Sequence, residues 1–216
     1  PHNHGFGTRR VPLESGYFEV YNQPHVTLVD INETPIERIT PTGIKTSHAE
    51  YAFDMIIYAT GFDAITGAFD RIDFRGVDGV SLQEKWRDGP QTFLGILVDG
   101  FPNMLMVMGP HAGLGNFPRA AEYSADWVTG LIRFACDRGL TRIEATAAGA
   151  NAWTDHVIAA SEGLLFTEVD SWMTGINSNV EGKNIRRVLQ YQGGAPAYRA
   201  RCDEVAASGY AGLKLS

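Results

Sequence analysis

Two arginines, Arg9 and Arg10, follow the glycine-rich stretch Gly5-Phe6-Gly7-Thr8. A guanidinium is planar, keeps its charge near neutral pH and donates two parallel hydrogen bonds to a pair of oxygens, so a loop that delivers such groups can hold a phosphate. An exposed basic pair in an ordinary loop is the alternative that the residues alone leave open. A second candidate is Asp54-Met-Ile-Ile-Tyr-Ala-Thr-Gly-Phe-Asp-Ala64. Its apolar run without alternation suits a strand covered on both faces, and Gly61 permits a turn or a close approach to a ligand. In open α/β sheets ligands bind at the carboxyl ends of strands, which marks Thr60, Gly61 and Asp63; a core strand followed by a plain turn is the other reading.

Two further segments carry candidate chemistry. The run from Phe101 to Gly109-Pro110 reads as a second buried strand, or as methionine-rich core filling. It leads into His111-Ala-Gly-Leu-Gly-Asn-Phe-Pro-Arg119. Small residues and an amide at the start of a helix make a natural edge for a polar ligand, and His111 is either a pocket donor or a satisfied histidine. The stretch Ser171-Trp172-Met173-Thr174-Gly175 through Lys183 combines glycines and amides with one large aromatic. That composition suits a mobile loop anchored by its indole, or a surface loop with a Trp packed beneath it.

The elements that must position these residues are also visible. Short strands are expected at Val26–Val29, at Pro35–Ile39 and at Asp54–Thr60, with a hairpin about Pro41-Thr42-Gly43. Glycine and proline spacing over Ile72–Phe101 predicts short strands and turns, with a helical turn at Leu82–Trp86. Tyr123, Trp127, Leu131 and Phe134 recur at helical spacing within Ala120–Cys136. A second helix is expected over Asn151–Leu165 with Trp153, Val157 and Leu164 inward, and a last helix after the 171–183 loop.

In order and with compatible spacing, these segments resemble the Baeyer–Villiger monooxygenases, class B flavoprotein monooxygenases that include the phenylacetone and cyclohexanone enzymes. Gly5-Phe6-Gly7-Thr8-Arg9-Arg10 is similar to the family's Phe-Gly-Thr-Lys-Arg loop, with Arg9 in place of the lysine. Ala59-Thr60-Gly61-Phe62-Asp63 matches its alanine-threonine-glycine strand. Ser171 to Lys183 resembles its Ser-Trp-Tyr-x-Gly-Ala-Asn-x-Pro-Gly-Lys loop, with an insertion and without the proline; the segment before the long helix is shorter than in those enzymes. The tail Gly193-Gly194 to Ala206 continues the resemblance.

The resemblance implies FAD and NADP as cofactors and a ketone and O2 as substrates. It implies that Arg10 is the active-site cation. It assigns Arg9, Thr60, Gly61, Asp63, Asn116, Phe117, Trp172 and Lys183 to cofactor binding, with Arg9 on the 2′-phosphate of NADPH. The substrate pocket would be lined by His111, Leu114, Gly115, Phe117 and Tyr191. The case for Arg10 also stands on chemistry: oxygen transfer to a ketone develops negative charge on the former carbonyl oxygen, and a fixed cation in a water-poor site stabilises it. The fold implied is α/β, the C-terminal part of a two-dinucleotide-binding-domain flavoprotein, with strands of the nucleotide domains plus a helical C-terminal region. Residues 1–53 would end the NADP-binding domain and form a linker; residues 54–216 would complete the FAD-binding domain, with an NADP-covering loop at about 171–187.

Composition limits the alternatives. The chain has 216 residues, an ordinary apolar fraction and a formal charge of −7, with no long basic tract. That argues against nucleic acid or an anionic membrane as a partner. Cys136 and Cys202 are its two cysteines, too distant and too few for a disulfide scaffold or a metal cluster, and no metal is expected. No apolar run nears membrane-spanning length, so a soluble, cytoplasmic protein is expected. No strand runs into Gly-x-Gly-x-x-Gly; Gly113-Leu114-Gly115 and Gly193-Gly194 do not fit it. A two-nucleotide flavoenzyme needs two such turns, so an N-terminal part of the same polypeptide is expected as partner, and this portion is expected to be inactive alone. The alternatives are an N- or S-oxidising flavin monooxygenase and a non-catalytic binding module derived from a flavoprotein.

Overall fold

The computed structural model describes residues 4–9, 11–113 and 115–216. The chain divides into two compact units, Arg10–Gly61 and the combination of Pro1–Arg9 with Phe62–Ser216.

The smaller unit holds a single helical turn, α1 (Tyr17–Val20), and an antiparallel sheet in the order β1 (Ile36–Thr40), β2 (Gly43–Thr46), β3 (Glu50–Ala52). Thr40 pairs with Gly43, so Pro41 and Thr42 form the two-residue turn that the sequence predicts. Gly43 is required there, because a Cβ would collide with the Tyr51 carbonyl of the neighbouring strand. The strands expected at Val26–Val29 and Asp54–Thr60 do not form. The apolar run is extended but exposed, with Ile57 at 80%. A buried strand needs neighbours to take its N–H and C=O groups and cover both faces. Among the described residues the sheet ends at β3, and no strand lies beside the run.

In the larger unit two short 3-10 turns (Phe69–Arg71 and Val77–Gly79) precede α2 (Leu82–Lys85), capped by the Ser81 hydroxyl, which accepts from the Glu84 amide. The unit continues through α3 (Phe117–Cys136), β4 (Ile143–Ala145), α4 (Ala147–Ala159), α5 (Ala195–Ala207) and β5 (Leu213–Leu215). Asn116 starts α3 by accepting from the Arg119 amide, and Pro118 fits the first turn. Trp127, Leu131 and Ala135 are buried along one stripe, and the Trp127 indole donates to the Cys202 carbonyl on α5 at 2.9 Å. Tyr123 and Phe134 pack partly buried against the same core.

Helix α4 starts earlier than expected because Thr146 caps it, accepting from the Gly149 amide, and a run of alanines follows. It ends at Ala159, where the Ser161 hydroxyl donates back to the Val157 carbonyl and Gly163 adopts a φ of 73°. Trp153 and Val157 are buried as expected; Leu164, beyond the helix, is exposed. β4 and β5 pair antiparallel with Ile143 opposite Leu215.

The segment from Thr92 to Ala112 runs through the core without regular structure, and Leu94, Ile96, Leu97 and Val98 are fully buried. The strand expected over Phe101–Pro110 is absent. Its backbone turns repeatedly, with positive φ at Asn103 and Met108, and its amides reach different partners: Met106 to the Ile96 carbonyl at 2.8 Å, Gly109 to Gly95 at 2.9 Å, and Asn103 to Ile143 at 2.8 Å. A run whose hydrogen bonds go partly back onto Gly95 and Ile96 and partly to Ile143 on β4 cannot form one ladder.

His111 closes this segment. Its Nε2 lies 3.0 Å from the Val188 carbonyl, which can only accept, so Nε2 carries the proton, while Nδ1 lies 3.4 Å from the Thr92 hydroxyl. Burial outweighs the bond to Val188 and lowers its pKa from 6.5 to about 4. The unfolded chain therefore takes up a proton below pH 6.5 that the folded chain refuses until about pH 4. Stability should be fully present above 6.5 and should fall on acidification, by about 2 kcal/mol near pH 5 at about 1.4 kcal/mol per unit. Urea midpoints of wild type and His111→Gln at neutral pH and near pH 5 check this: the variant should lose that portion of the pH dependence, and identical profiles would contradict it.

Candidate functional site

Two segments far apart in sequence meet through Lys183. Its ammonium lies 2.8 Å from Asp63 Oδ2, 2.9 Å from Asp70 Oδ2 and 3.0 Å from the Thr66 hydroxyl. Asn177 adds a longer contact to Asp63 Oδ1 at 3.5 Å. The Lys183 side chain is 17% exposed and that of Asp63 12%. Burial alone would lower the Lys183 pKa, but hydrogen bonds to Asp63 and Asp70 overcome it and raise it above the usual lysine value. The backbone is bent to form this cluster. Ile65, a β-branched residue, sits at φ 62°, a conformation that costs ~1–3 kcal/mol and persists only where its surroundings hold it. At Gly67 a Cβ would strike Asp63, so only glycine lets the turn close. Sequence reading picked out Asp63 and Lys183 but missed Thr66, Asp70 and Asn177. The spacing Asp63, Thr66, Asp70 is a faint signal, because its partner lies more than a hundred residues away.

The loop that carries Lys183 begins with a turn fixed by polar side chains. Ser171 Oγ accepts from the Met173 amide at 3.1 Å, and the Thr174 hydroxyl accepts from the Ser171 amide at 3.2 Å; both residues are buried. Trp172 itself is 43% exposed. The anchor is therefore the Ser171–Thr174 pair, and the indole expected to serve as anchor is presented outward. Asp170, just before it, bonds Arg186 through its carboxylate at 2.7 Å and receives Arg9 Nη2 on its carbonyl at 3.4 Å. At the other end the Asn177 amide donates to the Lys183 carbonyl at 2.9 Å.

The third part lies where the Thr92–Ala112 segment emerges. The His111 amide donates to Leu189 at 2.9 Å and the Tyr191 amide to Ala112 at 3.2 Å, joining Gly113 and Tyr191 in a parallel bridge. A Cβ on Gly113 would meet the Tyr198 ring. Gly115, Asn116 and Phe117 follow in the open, and the Asn116 side-chain oxygen is occupied as the α3 cap. Tyr191 is buried, with His156 stacked on it at 5.4 Å and Trp153 at 5.2 Å. His111 is satisfied within the chain and lines a cleft of about 630 Å³ with Lys85, Gln91, Thr154 and Arg187. Among the described residues, Gln190 Oε1 and Gln192 Nε2 are buried without a hydrogen-bond partner.

The remaining sequence candidates are placed as follows. Thr60 and Gly61 belong to the smaller unit and are exposed, Gly61 with φ 85°. Arg10 and Leu114 lie outside the described residues. Among the described residues no cluster of His, Cys, Asp and Glu could hold a metal ion, and no helix is long and apolar enough to cross a membrane. Cys136 and Cys202 are free thiols, the first exposed and the second buried.

No known family profile matches the chain. It is 44% identical over 218 residues to 2-oxo-Δ3-4,5,5-trimethylcyclopentenylacetyl-CoA monooxygenase of Pseudomonas putida, a match covering 100% of this chain and 40% of that protein. It is 42% identical over 215 residues to cyclopentanone 1,2-monooxygenase of a Comamonas species, covering 99% and 38%. It is 37% identical over 208 residues to a phenazine N-monooxygenase of Lysobacter antibioticus, covering 96% and 38%. The crystal structure of OTEMO in complex with FAD and NADP superposes with a TM-score of 0.87 at 44% identity, over 100% of this chain and 40% of that one. The chain thus spans about 40% of the length of the proteins it matches. Matched along its whole length at this level of identity, the chain belongs to the Baeyer–Villiger monooxygenase family of flavoproteins.

Proposed function

We propose that this chain is the C-terminal portion of an NADPH-using, FAD-dependent monooxygenase that places one atom of O2 beside a ketone carbonyl to give an ester or lactone. The observation that carries the reading is the pairing of a cation with an exposed ring: the Arg9 guanidinium bonds the Asp170 carbonyl, two residues from the outward Trp172 indole. A nucleotide presents a phosphate and flat rings, and these are the two groups that recognise them. Residues 1–53 are assigned to the end of the NADP-binding domain and a linker, residues 54–216 to the FAD-binding domain, and the N-terminal part of the polypeptide to both pyrophosphate-binding turns. A cytoplasmic location fits the composition.

The donor set fits such a cofactor. Arg9 has five N–H donors and, among the described residues, a long contact to the Asp170 carbonyl at 3.4 Å. At Gly115 an added Cβ would meet nothing nearer than Ala195 at 3.8 Å, which leaves room for close approach. The buried side-chain atoms Gln190 Oε1 and Gln192 Nε2, which have no partner among the described residues, flank Tyr191, the residue bridged to Gly113, and buried polar groups normally have partners. Bound FAD and NADPH supply the oxygen-transfer and reducing chemistry. The chain's own residues then have separate tasks. Arg9 holds the phosphate that distinguishes NADPH from NADH, and Trp172 covers the nucleotide. Asn116 and Phe117 border the flavin and Gly115 lines the substrate pocket, while the resemblance separately assigns Thr60 and Gly61 to cofactor binding. His111 and Tyr191 support the wall on which the ketone lies. Arg10 holds a permanent positive charge where the substrate oxygen becomes negative. Oxidation at nitrogen is the second reading, favoured by the likeness to the phenazine enzyme.

In the full-length protein Arg10→Ala should abolish ester or lactone formation while NADPH still reduces the flavin; a wild-type rate of ester formation would refute the role. Arg9→Ala should weaken NADPH roughly tenfold or more and narrow the preference over NADH, since a charged partner of the 2′-phosphate is lost. An unchanged ratio of kcat/KM for the two nucleotides would remove Arg9 from that task. Trp172→Ala should raise the hydrogen peroxide released per NADPH consumed with a ketone present, because an uncovered nucleotide leaves before oxygen is transferred. Equal coupling at equal folded fraction would make the indole a packing residue.

A further inference from the structure

We infer that Lys183 is a positioning residue and not a nucleotide ligand: with Asp63, Asp70 and Thr66 it ties down the far end of the loop 171–183. A lysine ammonium has three N–H donors, and all three have acceptors here, at 2.8, 2.9 and 3.0 Å. None is left for a phosphate. The two carboxylates around one ammonium also leave a net negative charge, which would repel a phosphate at this spot.

The cluster has the features of a built clasp. Its acceptors come from one tight turn, residues 63–70, whose closure needs Gly67 and a left-handed Ile65. Its donor comes from the far end of the loop whose near end is fixed by Ser171 and Thr174. The amides of Asn177, Val180 and Lys183 bond within that loop, to the carbonyls of Lys183, Asn177 and Val180. With both ends tied, the outward Trp172 is held on a fixed frame. For catalysis the inference rests on the proposed function: a loop tied at both ends lowers the ordering cost of holding the nucleotide through the second chemical step.

The test uses full-length protein and the variants Lys183→Met and Asp63→Asn, each checked for folding by circular dichroism and a melting curve. Hydrogen exchange of residues 171–183 is measured without nucleotide, where catalysis plays no part. Exchange at Asn177, Val180 and Lys183 should rise roughly tenfold in both variants, since removing one member of a mostly buried ion cluster leaves the other uncompensated. With NADPH and a ketone, peroxide release per NADPH should rise, while KM for NADPH stays within about threefold because no donor to the phosphate is lost. Exchange equal to wild type overturns the inference, most clearly if KM for NADPH rises tenfold, which would make Lys183 a phosphate ligand. Should Lys183→Met not fold, Thr66→Val removes one acceptor, keeps both carboxylates and is read in the same way. If wild type yields no oxygenated product, the proposed activity fails, and the exchange result still decides the clasp.

Discussion

A buried chain segment without regular structure stands only if each of its polar backbone groups finds a partner, and the core of the larger unit is such a segment. Leu94, Ile96, Leu97 and Val98 are withdrawn from water in a stretch that has neither helix nor ladder. Its groups are met singly. The Tyr198 hydroxyl on α5 donates to the Leu94 carbonyl at 2.6 Å, the Thr92 hydroxyl donates to Pro110 at 3.0 Å, and Gly95 accepts from Gly109. Gly95 has φ 68° and faces Ala112 so closely that a Cβ would collide with it. The first bond ties the segment to α5 and the other two fold it back on itself, so the segment and the helix are positioned by one another. The route from this core to the site is short: His111 and Ala112 leave the segment already bonded to Leu189 and Tyr191, and Asn116 begins α3 five residues after His111.

The parts of the fold legible in the sequence are those decided by local chemistry. Trp127 and Leu131 show their burial through helical spacing, and the Pro41-Thr42 turn and the helical turn from Leu82 follow from residue type and position. What was not legible depends on partners elsewhere. Asp54–Thr60 has the composition of a covered strand, but composition does not supply the neighbouring strands, and the run lies exposed. Phe101–Pro110 has similar composition and is buried at Phe101, Met106, Gly109 and Pro110, yet its amides bond back onto Gly95 and Ile96 and across to Ile143 on β4. In α4 the Thr146 cap outranked the apolar period used to place its start, and Leu164 fell beyond its end.

The same division holds at the site. The chemistry of Arg9 and the outward indole of Trp172 are properties of single residues, and sequence reading can propose them. The set around Lys183 is a property of distance, and Asp63 and Lys183 were marked without any sign that they bind each other. Family likeness carried what local chemistry could not, because it compares whole ordered patterns. The resulting division of labour is physical: a rigid irregular core sets the wall bearing His111 and Tyr191, while a loop tied at both ends presents the indole.

The most direct measurement of the central claim is the fate of isotopically heavy dioxygen. The full-length protein is supplied with FAD, NADPH and a simple cyclic ketone, and the product is examined by mass spectrometry. One heavy oxygen atom in the ring of a lactone, with the second appearing in water, is the predicted result. A ketone returned unchanged, alongside efficient oxidation of an amine or a heteroaromatic nitrogen, would contradict it and assign the chain to the nitrogen-oxidising relatives.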